Sequence, residues 1–473
     1  MDMLLIDPPR RYWGFGGGMG YYSAPVGLAA LAAFLQQNGV DVDILDCNGL
    51  ELGWDALPDE IRDRNPACVG VSSSMTCFTP QAFRCLELAK EVNPAIHTIG
   101  GGTQFTLAPD ESFRRGPPLD FIVRGDGEHT TLELVRELTK SKPNVEGIAG
   151  LSFRRNGEIV HNPPRPAVAD LDELPLPAWH LLPMDKYALP ILPPGWGNFA
   201  IVVTSRGCPF QCNFCSPMAA HAPYRAMTAP RVLEMLDELY SAHKARVFWF
   251  SDLSFNVDKK RTEQILDGII ERGWKVRIAL DGTRTDLILR DRDLLPKMKK
   301  AGVFLICLGV ESPFEQDLEG YQKGTTREKA EQAVALVRNH GIHTWSFFML
   351  GNEHHSRQDV LDILQYAKKL DPTIAIFTTV TPIPGTRFHD EMLAKGMIEE
   401  DDWAKYDFGH PVMRTEHLSR SELLDLYEHC FEGYYSRMWK IIKHGFLGDQ
   451  FARYTYRFLR FVHSARQIKA GQL

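Results

Sequence analysis

The sequence predicts an α/β protein in two successive units, a doubly wound parallel sheet and then a partial (β/α)6 barrel, followed by a helical C-terminal extension. Three observations carry that reading. Short β-branched runs alternate with amphipathic stretches of crossover length, a proline-rich segment interrupts the alternation once, and the chain turns helical and aromatic-rich near its end. At 473 residues and 44% hydrophobic composition, it is large enough to bury the cores of about two or three domains.

In the first unit, Met3–Ile6, Val42–Leu45, Cys68–Ser72, His97–Ile99 and Phe121–Val123 read as strands, with helices near Pro25–Asn38, Pro80–Val92 and Glu128–Lys140. Helical spacers of this length imply right-handed crossovers, hence a parallel sheet whose ligands bind at the carboxyl ends of its strands. This unit covers residues 1–145. Next, Leu151–Phe153 and Glu158–Val160 flank Asn156-Gly157, a pair that accepts positive φ at both turn positions and so marks a two-residue hairpin. Pro163, Pro164, Pro166, Pro175, Pro177, Pro183, Pro190, Pro193 and Pro194 then supply no backbone donors and resist helix, so 161–197 reads as an ordered connector across the surface. Hairpin and connector together make a linker, 146–197. Strands near Phe199–Thr204, Val247–Ser251, Lys275–Leu280, Val303–Val310, His343–Leu350 and Ile374–Thr381 give six βα units over 198–418, an incomplete barrel with its chemistry on loops at the carboxyl ends. Residues 419–473 form the helical region.

The formal net charge of -7 argues against a nucleic-acid binder, which needs surplus Lys and Arg to replace phosphate counterions. Small-molecule partners fit better. No apolar run approaches the roughly 18 residues of a membrane span, and Met1-Asp2-Met3 lacks the basic and apolar segments of a signal peptide, so the expected location is the cytoplasm. Nine cysteines, scattered except for one group, suit thiols and cluster ligands better than a disulfide framework.

That group lies in Thr204-Ser205-Arg206-Gly207-Cys208-Pro209-Phe210-Gln211-Cys212-Asn213-Phe214-Cys215, directly after a predicted buried strand. Thiolates are the usual protein ligands of iron–sulfur clusters, and three of them leave one iron of a cubane open to an outside ligand. The competing readings are a zinc site that borrows His221 as its fourth ligand, or three unrelated buried thiols. The spacing, with an aromatic before the last cysteine, is far more specific than a lone Cys-x-x-Cys.

At these residues the sequence resembles the radical S-adenosylmethionine (SAM) superfamily. The resemblance implies Cys208, Cys212 and Cys215 as ligands of a 4Fe-4S cluster, SAM chelated to the open iron, and a 5′-deoxyadenosyl radical that abstracts hydrogen from substrate carbon. It also implies cofactor contacts for Phe214, for Asp252 after the second barrel strand, and for Glu311 in Gly309-Val310-Glu311-Ser312 after the fourth. Phe347-Phe348-Met349-Leu350-Gly351 resembles the glycine turn of the fifth strand, with Asn352 where relatives usually have proline. Thr381-Pro382-Ile383-Pro384-Gly385-Thr386 resembles the sixth strand's exit, and both read as scaffold.

The N-terminal unit resembles the cobalamin-binding domain of class B radical SAM methyltransferases and of the anaerobic porphyrin-ring cyclases. Leu4-Leu5-Ile6-Asp7-Pro8-Pro9, Pro25-Val26-Gly27-Leu28, Val69-Gly70-Val71-Ser72-Ser73-Ser74, Gly100-Gly101-Gly102-Thr103 and Arg124-Gly125-Asp126-Gly127-Glu128 carry that likeness. It implies cobalamin contacts for Ser72, Ser74, Gly101, Gly102 and Thr103, where small residues admit a bulky ligand and hydroxyls meet its polar arms. Asp7-Pro8-Pro9 has no histidine where other cobalamin proteins carry a cobalt ligand, so base-off, histidine-off binding is expected, with Arg10–Trp13 toward the lower face. Gly14–Gly20, followed by Tyr21 and Tyr22, reads as a lid or a surface loop.

From Tyr434 onward there are eight Lys or Arg residues against one acid, Asp449, interleaved with aromatics. Such helices either pack on the neighbouring domain or lie peripherally on an anionic bilayer, here the inner membrane face. The leading functional expectation is an enzyme that methylates an unactivated carbon of a small-molecule or lipid-like substrate through a 5′-deoxyadenosyl radical and methylcobalamin, with ferredoxin or flavodoxin as electron donor. The alternatives are a cobalamin-dependent oxidation, cyclisation or rearrangement, and a non-catalytic cobalamin-binding protein that would leave the triad unexplained. No residue is assigned as catalytic from sequence.

Overall fold

A computed structural model describes residues 1–10, 23–216 and 223–470. Arg11–Trp13, Gly14–Gly20, Tyr21, Tyr22 and His221 lie outside the described residues. The first sheet contains β1 (Met3–Asp7), β2 (Val42–Asp46), β3 (Cys68–Ser72), β4 (His97–Gly101) and β5 (Phe121–Val123), all parallel, in the order β2-β1-β3-β4-β5. Helices Val26–Gln37 and Thr79–Val92 bury apolar faces against it, one on each side. This is the doubly wound arrangement that the alternation predicts.

The hairpin extends this sheet. β6 (Leu151–Arg155) pairs antiparallel with β5 and with β7 (Glu158–His161), and Asn156 and Gly157 take the turn at φ 51° and 86°. The hairpin expected within the linker therefore belongs structurally to the first sheet, where it covers the open edge of β5. The connector also departs from a surface path. Leu171, Trp179 and Tyr187 are buried in it, Ala178 N donates to Ala29 O, and the Tyr187 hydroxyl donates to Asp46 at 2.6 Å. Apolar side chains between the prolines supply core, and prolines leave fewer backbone donors to satisfy where the chain is enclosed.

The second sheet holds six parallel strands: β8 (Asn198–Val202), β11 (Ala245–Phe250), β12 (Arg277–Thr283), β13 (Val303–Glu311), β14 (His343–Leu350) and β15 (Ile374–Thr379), in the order β15-β14-β13-β12-β11-β8. Among the described residues no pairing joins β15 to β8, so the barrel stays open. A short antiparallel pair, β9 (Ser205–Arg206) with β10 (Arg225–Ala226), follows β8. β13 is buried along nearly its whole length, as a central parallel strand must be when helices cover one face and the barrel interior fills the other. Ser356 and Ser419 open the outer helices Arg357–Leu370 and Arg420–Tyr435 with reciprocal capping boxes, which fixes where each helix begins. The chain closes with short helical turns at 438–446 and the helix Gln450–Ala470. Among the described residues no helix is long and apolar enough to cross a membrane.

Candidate active site

β8 ends inside the barrel, and the chain must then turn to present Cys208 at its mouth. Asp252, just past β11, organises that turn: its carboxylate accepts from Thr204 N (2.8 Å), Thr204 Oγ1 (2.7 Å), Ser205 N (2.6 Å) and Ser205 Oγ (2.7 Å). Burial pushes the Asp252 carboxyl up, and the Thr204 and Ser205 donors pull it back. Gly207 then takes φ 74°, a left-handed step that glycine makes without steric cost, immediately before Cys208. Asn213 pins the far side of the loop, donating through N to Tyr321 O (3.2 Å) and through Nδ2 to Gly320 O (2.9 Å).

Cys208, Cys212 and Cys215 line one cavity of about 230 Å³, together with Phe214, Asp281, Arg284, Gly309, Glu311 and Lys323. Two cations stand beside the thiols. An Arg284 Nη1 lies 4.0 Å from Cys212 Sγ, the guanidinium stacks 3.8 Å over the Phe210 ring, and Nη2 donates to Lys323 O at 2.5 Å. Burial pushes the Cys208 thiol up, while the charges of Arg284 and Lys323 oppose that shift. Lys323 Nζ is 2.6 Å from Glu311 Oε1. Burial works against the Lys323 ammonium, but the Glu311 carboxylate and the nearby Cys212 hold its pKa above the ordinary lysine range.

Glu311 adopts φ 66°, a left-handed conformation that costs a non-glycine residue roughly 1–2 kcal/mol. Such strain persists where surroundings over-determine it, typically at a site. Gly309 leaves the ends of this pair their present place: a Cβ on it would lie 2.5 Å from Glu311 Oε1 and 2.6 Å from Lys323 Nζ, so the two side-chain ends would have to shift. Phe214 meets Tyr321 edge to face, with centroids 5.2 Å apart.

Next along the barrel rim, Asp317 is fully buried and accepts from Ser312 Oγ, Asn352 Nδ2 (2.8 Å) and His355 Nε2 (2.9 Å), with His354 Nε2 at 3.1 Å. Burial works against its ionised form, yet His355, Ser312 and Asn352 hold Asp317 below the usual carboxylate range. Asp317, His354 and His355 have the composition of a metal site, but His355 Nδ1 already accepts from Gly351 N and Asn352 N at 3.2 Å each. Its Nε2 therefore carries the proton and donates to Asp317, leaving no lone pair for an ion. The cluster instead ties the strand exit at Ser312 to that at Asn352, which accounts for the asparagine in place of proline.

In the first sheet, Ser72, Gly101 and Gly102 line a second cavity of about 300 Å³ between the two units, bounded by Val26, Gly70, Gly125 and, from the barrel side, Ser205 and Arg206. Ser74, which is exposed, and Thr103 stand outside its lining. Gly102 takes φ 91°, and a Cβ there would meet Ser72 Oγ at 2.7 Å and Ser73 O at 2.8 Å. Arg206, two residues before Cys208, bridges the units. Its guanidinium donates to both Glu128 oxygens (2.6 and 3.2 Å) and lies 3.3 Å from Asp126, which also pairs with Arg225. Arg10 pairs with Asp7 and lies 4.5 Å from the Phe78 ring centroid.

Both units have recognisable relatives. The B12 binding domain family matches residues 13–135, and the radical SAM superfamily matches 202–367. An uncharacterised methyltransferase of Pyrococcus horikoshii is 32% identical over 454 residues, covering 94% of this chain and 96% of that protein. This chain belongs to the cobalamin-binding radical SAM enzymes. The anaerobic magnesium-protoporphyrin IX monomethyl ester cyclase of Rubrivivax gelatinosus is 31% identical over 432 residues, covering 90% of this chain and 76% of that one. The radical SAM methyltransferase TsrM of Kitasatospora setae, solved with cobalamin and a 4Fe-4S cluster, shares the fold with a TM-score of 0.72 at 17% identity, each chain covered to 99%. The cofactors of this radical SAM family are a 4Fe-4S cluster, SAM and cobalamin, and the residues present fit them. Three thiols converge on one cavity beside two cations that offset cluster charge, and a glycine-rich cavity opens between the units. Arg284, Lys323 and Asp281 escaped the sequence reading, because each lies far from the triad in sequence and belongs to no short motif.

Proposed function

We propose that this radical SAM enzyme methylates an unactivated carbon of a small-molecule or lipid-like substrate. The convergence of Cys208, Cys212 and Cys215 on one cavity with Glu311 and Lys323, next to a cobalamin-type cavity, is the observation that supports it. When bound, the cofactors supply a hydrogen-abstracting deoxyadenosyl radical and a methyl donor. The chain's own residues hold and shield them. The three thiolates would ligate the cluster, and Arg284 and Lys323 would offset its negative charge. Glu311, its conformation fixed by Lys323 and Gly309, accepts hydrogen bonds from the ammonium or ribose hydroxyls of SAM, and Phe214 excludes water from the same wall.

Asp252 acts at one remove, holding the turn that leads to Cys208, since its oxygens are spent on Thr204 and Ser205. Ser72, Gly101 and Gly102 admit cobalamin; Ser74 and Thr103 are not assigned contacts. With no histidine in Asp7-Pro8-Pro9, this stretch would offer cobalt no imidazole ligand, and spectra showing a protein histidine on cobalt would contradict the reading. Residues 1–145, extended by the hairpin strands at 151–161, would serve cobalamin and 198–418 the cluster, with the rest of 146–197 as linker and 419–473 as helical support. Ferredoxin or flavodoxin is the proposed donor, and a peripheral membrane contact involves the C-terminal region.

Turnover with methyl-labelled SAM tests this reading. Methyl transfer yields 5′-deoxyadenosine, S-adenosylhomocysteine and a labelled product together. Deoxyadenosine with an oxidised or cyclised product and no label transfer would establish the second reading, which the 31% identity to the Rubrivivax cyclase favours.

A further inference from the structure

We propose that Met438–Leu447 is a docking surface for an anionic lipid bilayer. The inference goes beyond methyl transfer and stands whichever reaction the barrel performs. Eight large apolar side chains are conspicuously exposed among the described residues, and five fall within these ten positions: Met438 at 70%, Trp439 at 64%, Ile442 at 39%, Phe446 at 64% and Leu447 at 75%. Scattered exposed apolar residues are ordinary, whereas a contiguous group of this kind marks an interaction surface.

The exposure is built in. Between the outward residues, Lys440 is fully buried, with Nζ 2.6 Å from the Tyr434 hydroxyl and 3.2 Å from Asp371. Lys443 reaches Asp371 at 2.6 Å, and Tyr434 donates to Pro372 O at 2.6 Å. These bonds fasten one face of the segment to the barrel, so the opposite face has to point outward.

Charge selects the occupant. Arg437, Lys440 and Lys443 are held on Asp371, but Arg453 and Arg457 are exposed on the following helix, and Arg457 reaches Gly445 O at 3.2 Å, beside the apolar group. A second copy of the chain would bring like charges together across the patch. An anionic bilayer takes up the apolar side chains and attracts the cations, with Trp439 suited to the headgroup level. The segment sits at the amino-terminal ends of the barrel strands: His343, which opens β14, meets Asp449 at 2.8 Å, and Pro372, the acceptor for Tyr434, stands two residues before β15 begins. Docking there leaves the cysteine mouth and the cobalamin-type unit, at the opposite end, open to reductant and substrate.

The test is co-sedimentation of the full-length protein, loaded anaerobically with iron, sulfide and cobalamin. One set of vesicles is equimolar phosphatidylglycerol and phosphatidylcholine, the other phosphatidylcholine alone. We expect binding to the anionic vesicles at low salt, at least about tenfold weaker binding to the neutral ones, and loss at high salt as the surface charges are screened. Trp439→Ser combined with Phe446→Ser should cut anionic binding about tenfold or more with iron and cobalamin content unchanged, since both side chains are exposed. Absence of wild-type binding at low salt, or equal binding by the double variant, overturns the proposal. So does a dimer in sedimentation velocity that the same substitutions dissociate, because a second copy would then own the patch.

Discussion

Asp252 and Gly309 show how much of the site's geometry depends on single residues that position others. Asp252→Asn keeps the side chain's shape but replaces one acceptor oxygen with an amide NH2 that faces donors on Thr204 and Ser205. A buried donor left without a partner costs about 1–3 kcal/mol, so we expect chemical denaturation to report a loss of that size and reconstituted iron to fall with it. Gly309→Ala acts differently, driving a methyl group into the Glu311–Lys323 pair. The flexible ends of the pair can yield to the methyl group at little cost in stability, but the displaced Glu311 carboxylate should weaken SAM binding about tenfold or more while iron content holds. The triad was legible from sequence because its three members share one short loop. Arg284 and Lys323 were not, because the barrel fold alone brings residues so distant in sequence to within reach of Cys212. Asp252 was legible as a strand-end carboxylate but not in its direction, which the donors of Thr204 and Ser205 decide.

At the level of elements, the C-terminal segment carries a pH dependence of its own. Burial, reinforced by Lys440 and Lys443 and opposed by Asp371, drives His444 down to about 3 from 6.5. Across that window the unfolded segment binds a proton that the folded segment refuses, so stability falls as pH drops below 6.5, by about 2 kcal/mol near pH 5. Lys440, lowered by burial to about 7 from 10.5, pushes the same way over a higher window, since its charged form is favoured by unfolding. Amide hydrogen exchange over 438–447, corrected for intrinsic rates, should therefore slow from about pH 5 to pH 8, and His444→Gln should flatten the acidic limb. The strands of both sheets, in their chain order, followed from the alternation of apolar runs, whereas the short helices Leu57–Arg64 and Pro109–Arg115 did not. The hairpin's turn was legible in Asn156-Gly157, but its attachment to β5 was not, because a hairpin's own sequence does not name the edge it joins. The connector misled for a related reason: prolines signal irregular backbone without signalling that Trp179 and Tyr187 are buried within it.

For the whole molecule, Arg206 couples the two cofactor sites, reaching Glu128 and Asp126 of the first unit from a position two residues before Cys208. Glu128→Ala leaves a guanidinium whose side chain is 26% exposed without its bidentate partner. We expect a loss of about 2–3 kcal/mol, toward the low end for broken buried pairs because of that residual exposure, with cobalamin retention and cluster loading reduced together. A change in only one of them would show that the units behave independently. The central claim, that three thiolates leave one iron open to SAM, has a direct test in the anaerobically reconstituted and reduced protein. Electron paramagnetic resonance should give a cubane signal corresponding to about four irons per chain, lost when Cys208, Cys212 or Cys215 becomes alanine, and shifted when SAM is added. A cubane signal that SAM leaves unchanged, or no cubane signal at all, would contradict the account.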